Sequence, residues 1–228
     1  MAVFADRAIA GQLLAKEVAR LQPEAPVVFA LPRGGVPVAA PIATALNAPL
    51  DLLLVRKIGV PWQPELAAGS VIDGERPDIV LNDDVVRAAG LSPSDIRSIA
   101  DAELKEVERR RAIYMPGRSP TSAKGRTAIL VDDGMATGAS MRAAVAAVRR
   151  RGPRRIIVAI PVAAAETAQE FRAIVDDVVC LVTPRHFGSV GYYYDDFRQL
   201  SDADVTAVLA SLPALSGQAA ANTTGAST

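Results

Sequence analysis

The run Thr127-Ala128-Ile129-Leu130-Val131 leads directly into Asp132-Asp133-Gly134-Met135-Ala136-Thr137-Gly138-Ala139-Ser140, and a helical pattern continues to Arg151. The apolar run predicts a buried strand, and the glycines behind it predict a tight turn into the helix. In an open α/β sheet, a strand-to-helix turn lies at the carboxyl end of its strand, where ligands bind. This stretch therefore predicts both an α/β fold and the position of its binding site.

The turn has the composition of a phosphate cradle. Gly134 and Gly138 let successive backbone N–H groups point inward, Thr137 and Ser140 add hydroxyl donors, and the following helix adds the positive end of its dipole. Two carboxylates before the turn repel a phosphate, so they need another task. Hydrogen bonds to sugar hydroxyls, or contacts to Mg²⁺ through water, are the tasks that suit carboxylates there.

Other phosphate-binding motifs fit the chain poorly. It has no Gly-x-x-x-x-Gly-Lys loop and no Gly-x-Gly-x-x-Gly dinucleotide turn. An aspartyl-phosphatase pattern needs Asp-x-Asp, but Gly134 and Met135 follow the acids.

The remaining sequence predicts alternating strands and helices. Strands are expected at 26–31, 51–56, 127–132, 155–160 and 178–182, and helices at 7–21, 36–46, 94–113, 140–151 and 166–175, with a short last helix from Ser201. In the first helix, Ile9, Leu13, Leu14, Val18 and Leu21 form the expected apolar face, with Asp6 as its cap. This alternation predicts a central parallel sheet of about five strands flanked by helices.

Composition narrows the class of protein. Net charge is zero, with 25 basic and 25 acidic residues, which disfavours nucleic acid as a partner. Cys180 is the only cysteine and lies in an apolar run, which favours a buried thiol, and with His186 as the only histidine a Cys/His zinc site is excluded. The charged N-terminus is neither a signal peptide nor a membrane span, so we expect a cytoplasmic protein.

The stretch from Ile129 to Ser140 resembles the signature of type I phosphoribosyltransferases over its whole length. The resemblance implies that Asp132 and Asp133 hold the ribose hydroxyls of phosphoribosyl pyrophosphate. It implies that Gly134, Met135, Ala136, Thr137, Gly138, Ala139 and Ser140 hold its 5′-phosphate. It also implies a transferase of nucleotide metabolism that uses Mg²⁺. Relatives are often dimers, so a homodimer is one of the oligomeric states that stay open.

Other segments resemble further parts of that family. Arg33, Gly34 and Gly35 look like the pyrophosphate loop, with Arg33-Gly34 as the expected strained or cis peptide bond. Arg56 and Lys57 are expected at the same edge, where their charges would neutralise pyrophosphate. The stretch 57–82 takes the place of the family's flexible loop, where Glu65 could be a base and Trp62 is either exposed or packed beneath the loop.

The aromatic segment 186–197 looks like the hood over the base in purine enzymes. Phe187, Val190 and Tyr192 are candidates to contact the base, although an aromatic mini-core would explain the same residues. Asp195 is a candidate for Mg²⁺ through water, and His186 is expected at the surface or in a hydrogen bond rather than in catalysis.

The resulting domain map places a phosphoribosyltransferase domain at 1–212. Within it lie the flexible loop at 57–82, a helical insert at 83–113 and the hood at 184–200, and a disordered tail follows at 213–228. Ala136 stands where 6-oxopurine enzymes often have an Asp that serves as base, which argues against a 6-oxopurine acceptor. The resemblance does not identify the acceptor, although a nucleobase is expected. The resemblance is greatest to a poorly defined bacterial subgroup.

Two other classes stay open at this point. A regulator that senses phosphoribosyl pyrophosphate and binds nucleic acid would need a basic face, for which 109–111 and 149–155 are the candidates. These arginines also suit solvated helix ends. A domain that works with a second enzyme domain is equally compatible with the polar tail.

Overall fold

The computed structural model describes residues 2–73 and 77–212; the predicted disordered tail at 213–228 lies outside the described residues. The strands are β1 Pro26–Ala30, β2 Leu50–Leu52, β3 Val55–Val60, β4 Gln63–Ile72, β5 Asp78–Leu81, β6 Thr127–Val131, β7 Arg155–Val162 and β8 Asp177–Val182. The helices are α1 Arg7–Arg20, α2 Gly35–Ala45, α3 Asp83–Ala88, α4 Pro93–Tyr114, α5 Ala139–Arg150, α6 Ala165–Arg172 and α7 Asp202–Ala210.

The central sheet is parallel throughout and has the strand order β2-β1-β6-β7-β8, which confirms the predicted five strands. Its middle strands are buried on both faces, as the continuous apolar runs predict. The order reverses between β1 and β6, because β2 lies outside β1 and β7 lies outside β6. Ligands bind at such a switch point, beyond the carboxyl ends of the strands.

Helices cover both faces of this sheet. On one face, α1, α2 and α7 pack together through side chains such as Leu14, Ile42 and Leu209. On the other face, α5 and α6 pack through Val145 and Phe171 among others. The strands are apolar on both faces, so the helices that cover each face present apolar side chains to them.

The buried stripe of α1 differs from the predicted one. Asp6 caps the helix as expected, accepting from the N–H of Ile9 at 2.8 Å. Ile9 and Leu13, however, are 40% exposed, and the buried stripe runs through Arg7, Ala10, Leu14 and Val18. The face of α1 that carries small residues packs toward α2, because α2 approaches closely here.

The strand predicted at 51–56 is present as β2 but ends at Leu52, and the described part of 57–82 forms strands where a loop was predicted. The chain leaves the central sheet after Leu52, and β3, β4 and β5 form a separate antiparallel sheet. Ile58 and Val71 are buried against Ile96 and Ala100 of α4, which gives this segment a core of its own. Its glycines fit inside strands: a Cβ on Gly69 would come within 2.5 Å of the Val80 carbonyl oxygen.

The predicted insert at 83–113 corresponds to α3 and α4, and most of α4 is exposed apart from one buried stripe. Ile96, Ala100 and Val107 are buried along it. Near its end, Arg111 pairs with Asp51 of β2 at 2.8 Å and with Asp73 after β4 at 2.6 Å. This buried network joins the small sheet to the central one.

Within the described ranges, no helix is both long enough and apolar enough to cross a membrane.

Candidate active site

The loop after β1 folds back onto the end of β6. The Leu31 N–H donates to the Val131 carbonyl at 2.9 Å, and the Gly35 N–H donates to the Leu31 carbonyl at 2.9 Å. The cis peptide is Pro32-Arg33, one bond earlier than the predicted Arg33-Gly34. Gly34 already has helical backbone angles as the cap of α2, so the chain reverses before it.

Both glycines of this loop lie against the two acids. A Cβ on Gly34 would come within 2.0 Å of Oδ2 of Asp133, and one on Gly35 within 2.5 Å of the Val131 carbonyl oxygen. No side chain fits at either position without moving its neighbours. The structure therefore brings Gly34, Gly35, Asp132 and Asp133 together at the switch point, as the sequence predicts.

The two acids have different surroundings. The Asp133 N–H donates to Oδ1 of Asp132 at 2.9 Å. Burial raises the pKa of Asp132 well above its ordinary value, and the neighbouring Asp133 charge adds to the rise. Asp133 pairs with Arg7, whose Nε donates to Oδ2 at 2.8 Å. Burial also raises the pKa of Asp133, and Arg7 opposes that rise.

The turn after the acids is held by packing rather than by side-chain caps. Gly138 has φ of +72° and caps α5. A Cβ there would lie 2.6 Å from the Phe171 ring of α6, so glycine is required both by backbone and by space. The Thr167 hydroxyl donates to the Ala136 carbonyl at 2.6 Å and fixes the middle of the turn.

The residues of this turn do not all face the same way. Four residues of the turn are exposed to solvent, namely Ala136, Thr137, Ala139 and Ser140, whereas Gly138 between them is buried. Met135 is buried, and its N–H donates to the Val162 carbonyl at 2.9 Å, so this amide is already engaged within the protein. Gly134 lies under the hood, where a Cβ would come within 2.5 Å of Val190.

The structure does not bring Arg56 to the acids. Arg56 lies in β3, and its Nε pairs with Glu103 of α4 at 2.7 Å. Lys57 follows in the same strand and therefore points to the opposite face. The predicted position of both at the end of a central strand is wrong, because β2 ends four residues before Arg56.

The hood is an aromatic cluster. The rings of Phe187 and Tyr193 stack with centroids 5.9 Å apart, and the Tyr193 hydroxyl donates to the Phe187 carbonyl at 2.9 Å. Phe187 therefore belongs to an aromatic mini-core, the alternative that the sequence leaves open. Tyr192 is 76% exposed, Val190 contacts the turn, and Asp195 is exposed.

Other sequence candidates lie around the site in different settings. Trp62 is exposed at the β3–β4 hairpin. The side chain of Glu65 lies outside the described residues. His186 is exposed, as expected, and burial raises the pKa of Cys180, which favours an unreactive thiol.

Arg7 and Tyr194 contact the site although no local sequence motif points to them. The Tyr194 hydroxyl donates to the Asp133 carbonyl oxygen at 2.6 Å. A cleft opens beside this contact, and its lining comprises Arg7, Arg33, Gly34, Asp133, Phe197, Gln199 and Leu200. One sequence feature could have indicated Arg7: it lies on the same face of α1 as the buried small and apolar residues.

The arginine clusters considered as a nucleic-acid face are paired with acids and carbonyls. Arg109 and Arg110 both bind Glu106, and Arg111 is in the buried network. In the second cluster the partners are Asp78 for Arg150, Glu24 for Arg154 and Asp177 for Arg155, while Arg149 and Arg151 donate to the carbonyls of Ile174 and Asp73.

A switch-point site with a glycine-containing turn and paired acids beside it is the arrangement that the sequence predicts for the class of proteins that bind sugar phosphates. The model of the phosphoribosyl transferase domain matches residues 5–197, and the chain belongs to this family.

Known relatives agree with that assignment. In two strains of Mycobacterium tuberculosis, proteins named "Putative phosphoribosyl transferase" are 45% identical over 209 residues, which is 92% of this chain. The match covers 47% of their length, so the chain spans about half of these curated relatives. The crystal structure of TT1426 from Thermus thermophilus is 43% identical, with a TM-score of 0.76 over 92% of this chain and 98% of that one.

Proposed function

We propose that the protein transfers the 5-phosphoribosyl group from phosphoribosyl pyrophosphate to a nitrogen acceptor. The bond between ribose C1 and the pyrophosphate oxygen breaks, and a bond from C1 to the acceptor nitrogen forms. Pyrophosphate leaves with the bonding electrons, and the acceptor nitrogen gives up its proton. Positive charge develops on the ribose ring in the transition state, as in other glycosyl transfers.

The contact of Gly34 with Asp133 is the observation that carries this proposal. It joins a loop of backbone N–H groups to a carboxylate without any side chain between them. A diphosphate on the loop and ribose hydroxyls on the acids would be neighbours in such a site, as they are within phosphoribosyl pyrophosphate. A plain phosphate site would gain nothing from two acids at this point.

The turn at 134–140 supplies the place for the 5′-phosphate. Its exposed residues stand at the N-terminus of α5, where N–H groups lack helical partners and the dipole favours an anion. The amide of Met135 contributes nothing to this binding, because it is bound to Val162. We assign the phosphate to the N–H groups and hydroxyls of Ala136, Thr137, Gly138, Ala139 and Ser140.

We assign the binding of the pyrophosphate to the loop of Arg33, Gly34 and Gly35. Arg33 lines the cleft and lies 3.8 Å from Asp202, a loose pair that a diphosphate can displace. Arg56 would have to leave Glu103 to take part, so its contribution and that of Lys57 depend on movement of β3.

Mg²⁺ fits the donor set in one particular way. No group of three or more His, Cys, Asp or Glu side chains able to hold a metal occurs at 2–73 or 77–212. Asp132 and Asp133 would therefore meet the ion through water or ribose oxygens, while the diphosphate supplies direct ligands. The ion would neutralise the leaving group, and the protein's own residues would orient the ribose.

The acceptor is proposed to be a nucleobase bound under the hood. Tyr192 offers an exposed ring in the hood, two residues after Val190, which lies against the turn at Gly134. Stacking on such a ring suits any base. Phe187 is engaged with Tyr193 and is not part of this proposal. The pairing of both arginine clusters gives no support to a nucleic-acid-binding regulator.

Release of pyrophosphate tests the function directly. Purified protein, phosphoribosyl pyrophosphate and Mg²⁺ are incubated with a panel of purine and pyrimidine bases, and pyrophosphate is measured by an enzyme-coupled assay. Release that depends on one base confirms transfer and identifies the acceptor. Release with no member of the panel, despite tight binding of the donor, would reject a nucleobase as the acceptor.

A further inference from the structure

We propose that Arg7 is a positioning residue for the reaction, holding the Asp133 carboxylate toward the ribose and tying that acid to the hood. This inference rests on the proposed function. Arg7 has no place in the motif at 129–140, and it is 126 residues from its partner.

The contacts of Arg7 are those of a fixed side chain. Its Nε donates to Oδ2 of Asp133 at 2.8 Å, and Nη1 donates to the Arg198 carbonyl at 3.1 Å. The guanidinium carbon lies 3.8 Å from the centre of the Phe197 ring. Two hydrogen bonds and one stacked ring hold a planar guanidinium in a single orientation.

The backbone of Arg7 is fixed as well. It is the first residue of α1, directly after the cap Asp6, so the start of the helix sets where its side chain begins. The preceding residues are bound to the hood, since Phe4 donates its N–H to the Tyr193 carbonyl at 2.9 Å. The backbone of Arg7 is thus fixed by both α1 and the hood.

Burial explains why the pair acts on the orientation of Asp133 rather than as a surface ion pair. Arg7 is 8% exposed, and a buried guanidinium needs a charged partner to offset its lost hydration. The contact uses only Oδ2 of Asp133, so Arg7 does not occupy Oδ1. One oxygen is anchored, and the other can accept a ribose hydroxyl.

Gly34 limits the alternatives open to Asp133. The Gly34 backbone lies directly against the same carboxylate, so the acid is confined between the loop and Arg7. Without Arg7, the carboxylate is free to turn away from the ribose. A purely structural arginine would instead stabilise the fold without affecting how Asp133 binds the donor.

A double-mutant cycle distinguishes these two roles. Arg7→Met, Asp133→Asn and the double variant are compared with the wild type for affinity to phosphoribosyl pyrophosphate with Mg²⁺. We expect Arg7→Met to weaken binding roughly tenfold or more, the effect of losing a hydrogen bond to a charged group. In the Asp133→Asn background the same change should have little further effect. Equal losses in both backgrounds would overturn the proposal.

Two further variants complete the test. Arg7→Lys keeps a cation and should recover part of the lost affinity, whereas no recovery beyond Arg7→Met would count against positioning by charge. Arg20→Met removes an exposed arginine from the other end of α1 and should bind like the wild type.

A second readout keeps failure of the proposed function separate. The wild type, Arg7→Met, Asp133→Asn and the double variant are also unfolded in urea without ligand. The free energies of unfolding measure the coupling of Arg7 with Asp133 directly. If the wild type did not bind phosphoribosyl pyrophosphate, the proposed function would fall, and coupling in this cycle would still decide whether Arg7 holds Asp133. Additive effects on unfolding would reject the pair itself.

Discussion

The turn at 134–140 and the hood at 184–200 face the same site but are built in different ways. The turn is local: an apolar strand, two acids and two glycines determine its path, and a few short contacts to α6 and β7 fix it. The hood depends on distant parts of the chain, because Phe4 and Arg7 near the N-terminus pack against its aromatic rings. A turn fixed by local contacts suits a ligand group that a whole family shares. A hood built from distant segments suits an acceptor that varies among relatives.

Substitution in the loop that faces the acids should have the largest effect on donor binding. Gly34→Ala places a Cβ within 2.0 Å of Oδ2 of Asp133, which must then move. We expect affinity for phosphoribosyl pyrophosphate to fall roughly 100-fold, the cost typical of a displaced binding group. Calorimetric titration measures this. Gly90→Ala, a strained position with open space around it, is the control and should leave the affinity unchanged.

Gly138→Ala should show how tightly the turn is packed. The new Cβ would meet the Phe171 ring at 2.6 Å in a left-handed backbone conformation. We expect a loss of about 2–4 kcal/mol in the free energy of unfolding, from strain and overpacking together. Urea unfolding measures it. A loss no greater than that of Gly90→Ala, which has the strain alone, would show that α6 yields to the added methyl group.

Tyr192→Ala should separate the hood from the turn. The exposed ring contacts the acceptor in our proposal, so the KM for the acceptor should rise about tenfold, as for loss of one stacked base. The affinity for phosphoribosyl pyrophosphate should remain close to that of the wild type. Tyr192→Phe keeps the ring and should behave like the wild type. Equal losses of affinity for the donor and the acceptor would show that the turn and the hood do not bind separate substrates.

Asp132→Asn should have the smallest effect on stability, and a positive one. Burial raises the folded-state pKa of Asp132, so this acid costs stability as the pH rises above the ordinary carboxyl range, and the cost is complete above the raised pKa. We expect the variant to melt roughly 2–4 °C higher at about pH 8, equivalent to about 1 kcal/mol.

The advantage of Asp132→Asn should vanish as the pH falls to the ordinary carboxyl range, where the wild-type acid is protonated in both states. Scanning calorimetry across pH measures this. A variant that melts lower than the wild type under alkaline conditions would mean that the ionised acid stabilises the ligand-free site.

Local patterns predicted most of the central sheet and the core of the site. The apolar runs indicated the five parallel strands, and the motif at 129–140 placed the acids and the turn at the switch point. The small sheet was missed because glycines such as Gly69 occur inside its strands, where close strand approach requires them. Glycine and proline content alone predicted a loop there.

Long-range contacts account for the other differences. Nothing near Arg7 in the sequence indicates Asp133, and nothing near Arg111 indicates Asp51. Charge runs on helices predict solvated or basic faces, but several of these arginines are bound across the fold. Only the packing of α1 and α4 against the sheets determines which arginines meet buried acids.

Binding of phosphoribosyl pyrophosphate with Mg²⁺ to the wild type and to Asp133→Asn, measured by calorimetric titration, tests the central claim most directly. Asp101→Asn, which changes an exposed acid of α4, is the matched control. The account predicts saturable one-site binding by the wild type and the control, and binding weakened by about tenfold or more in Asp133→Asn, which loses a charged acceptor. Absence of binding by the wild type at millimolar ligand, or equal affinity in all three proteins, would contradict it.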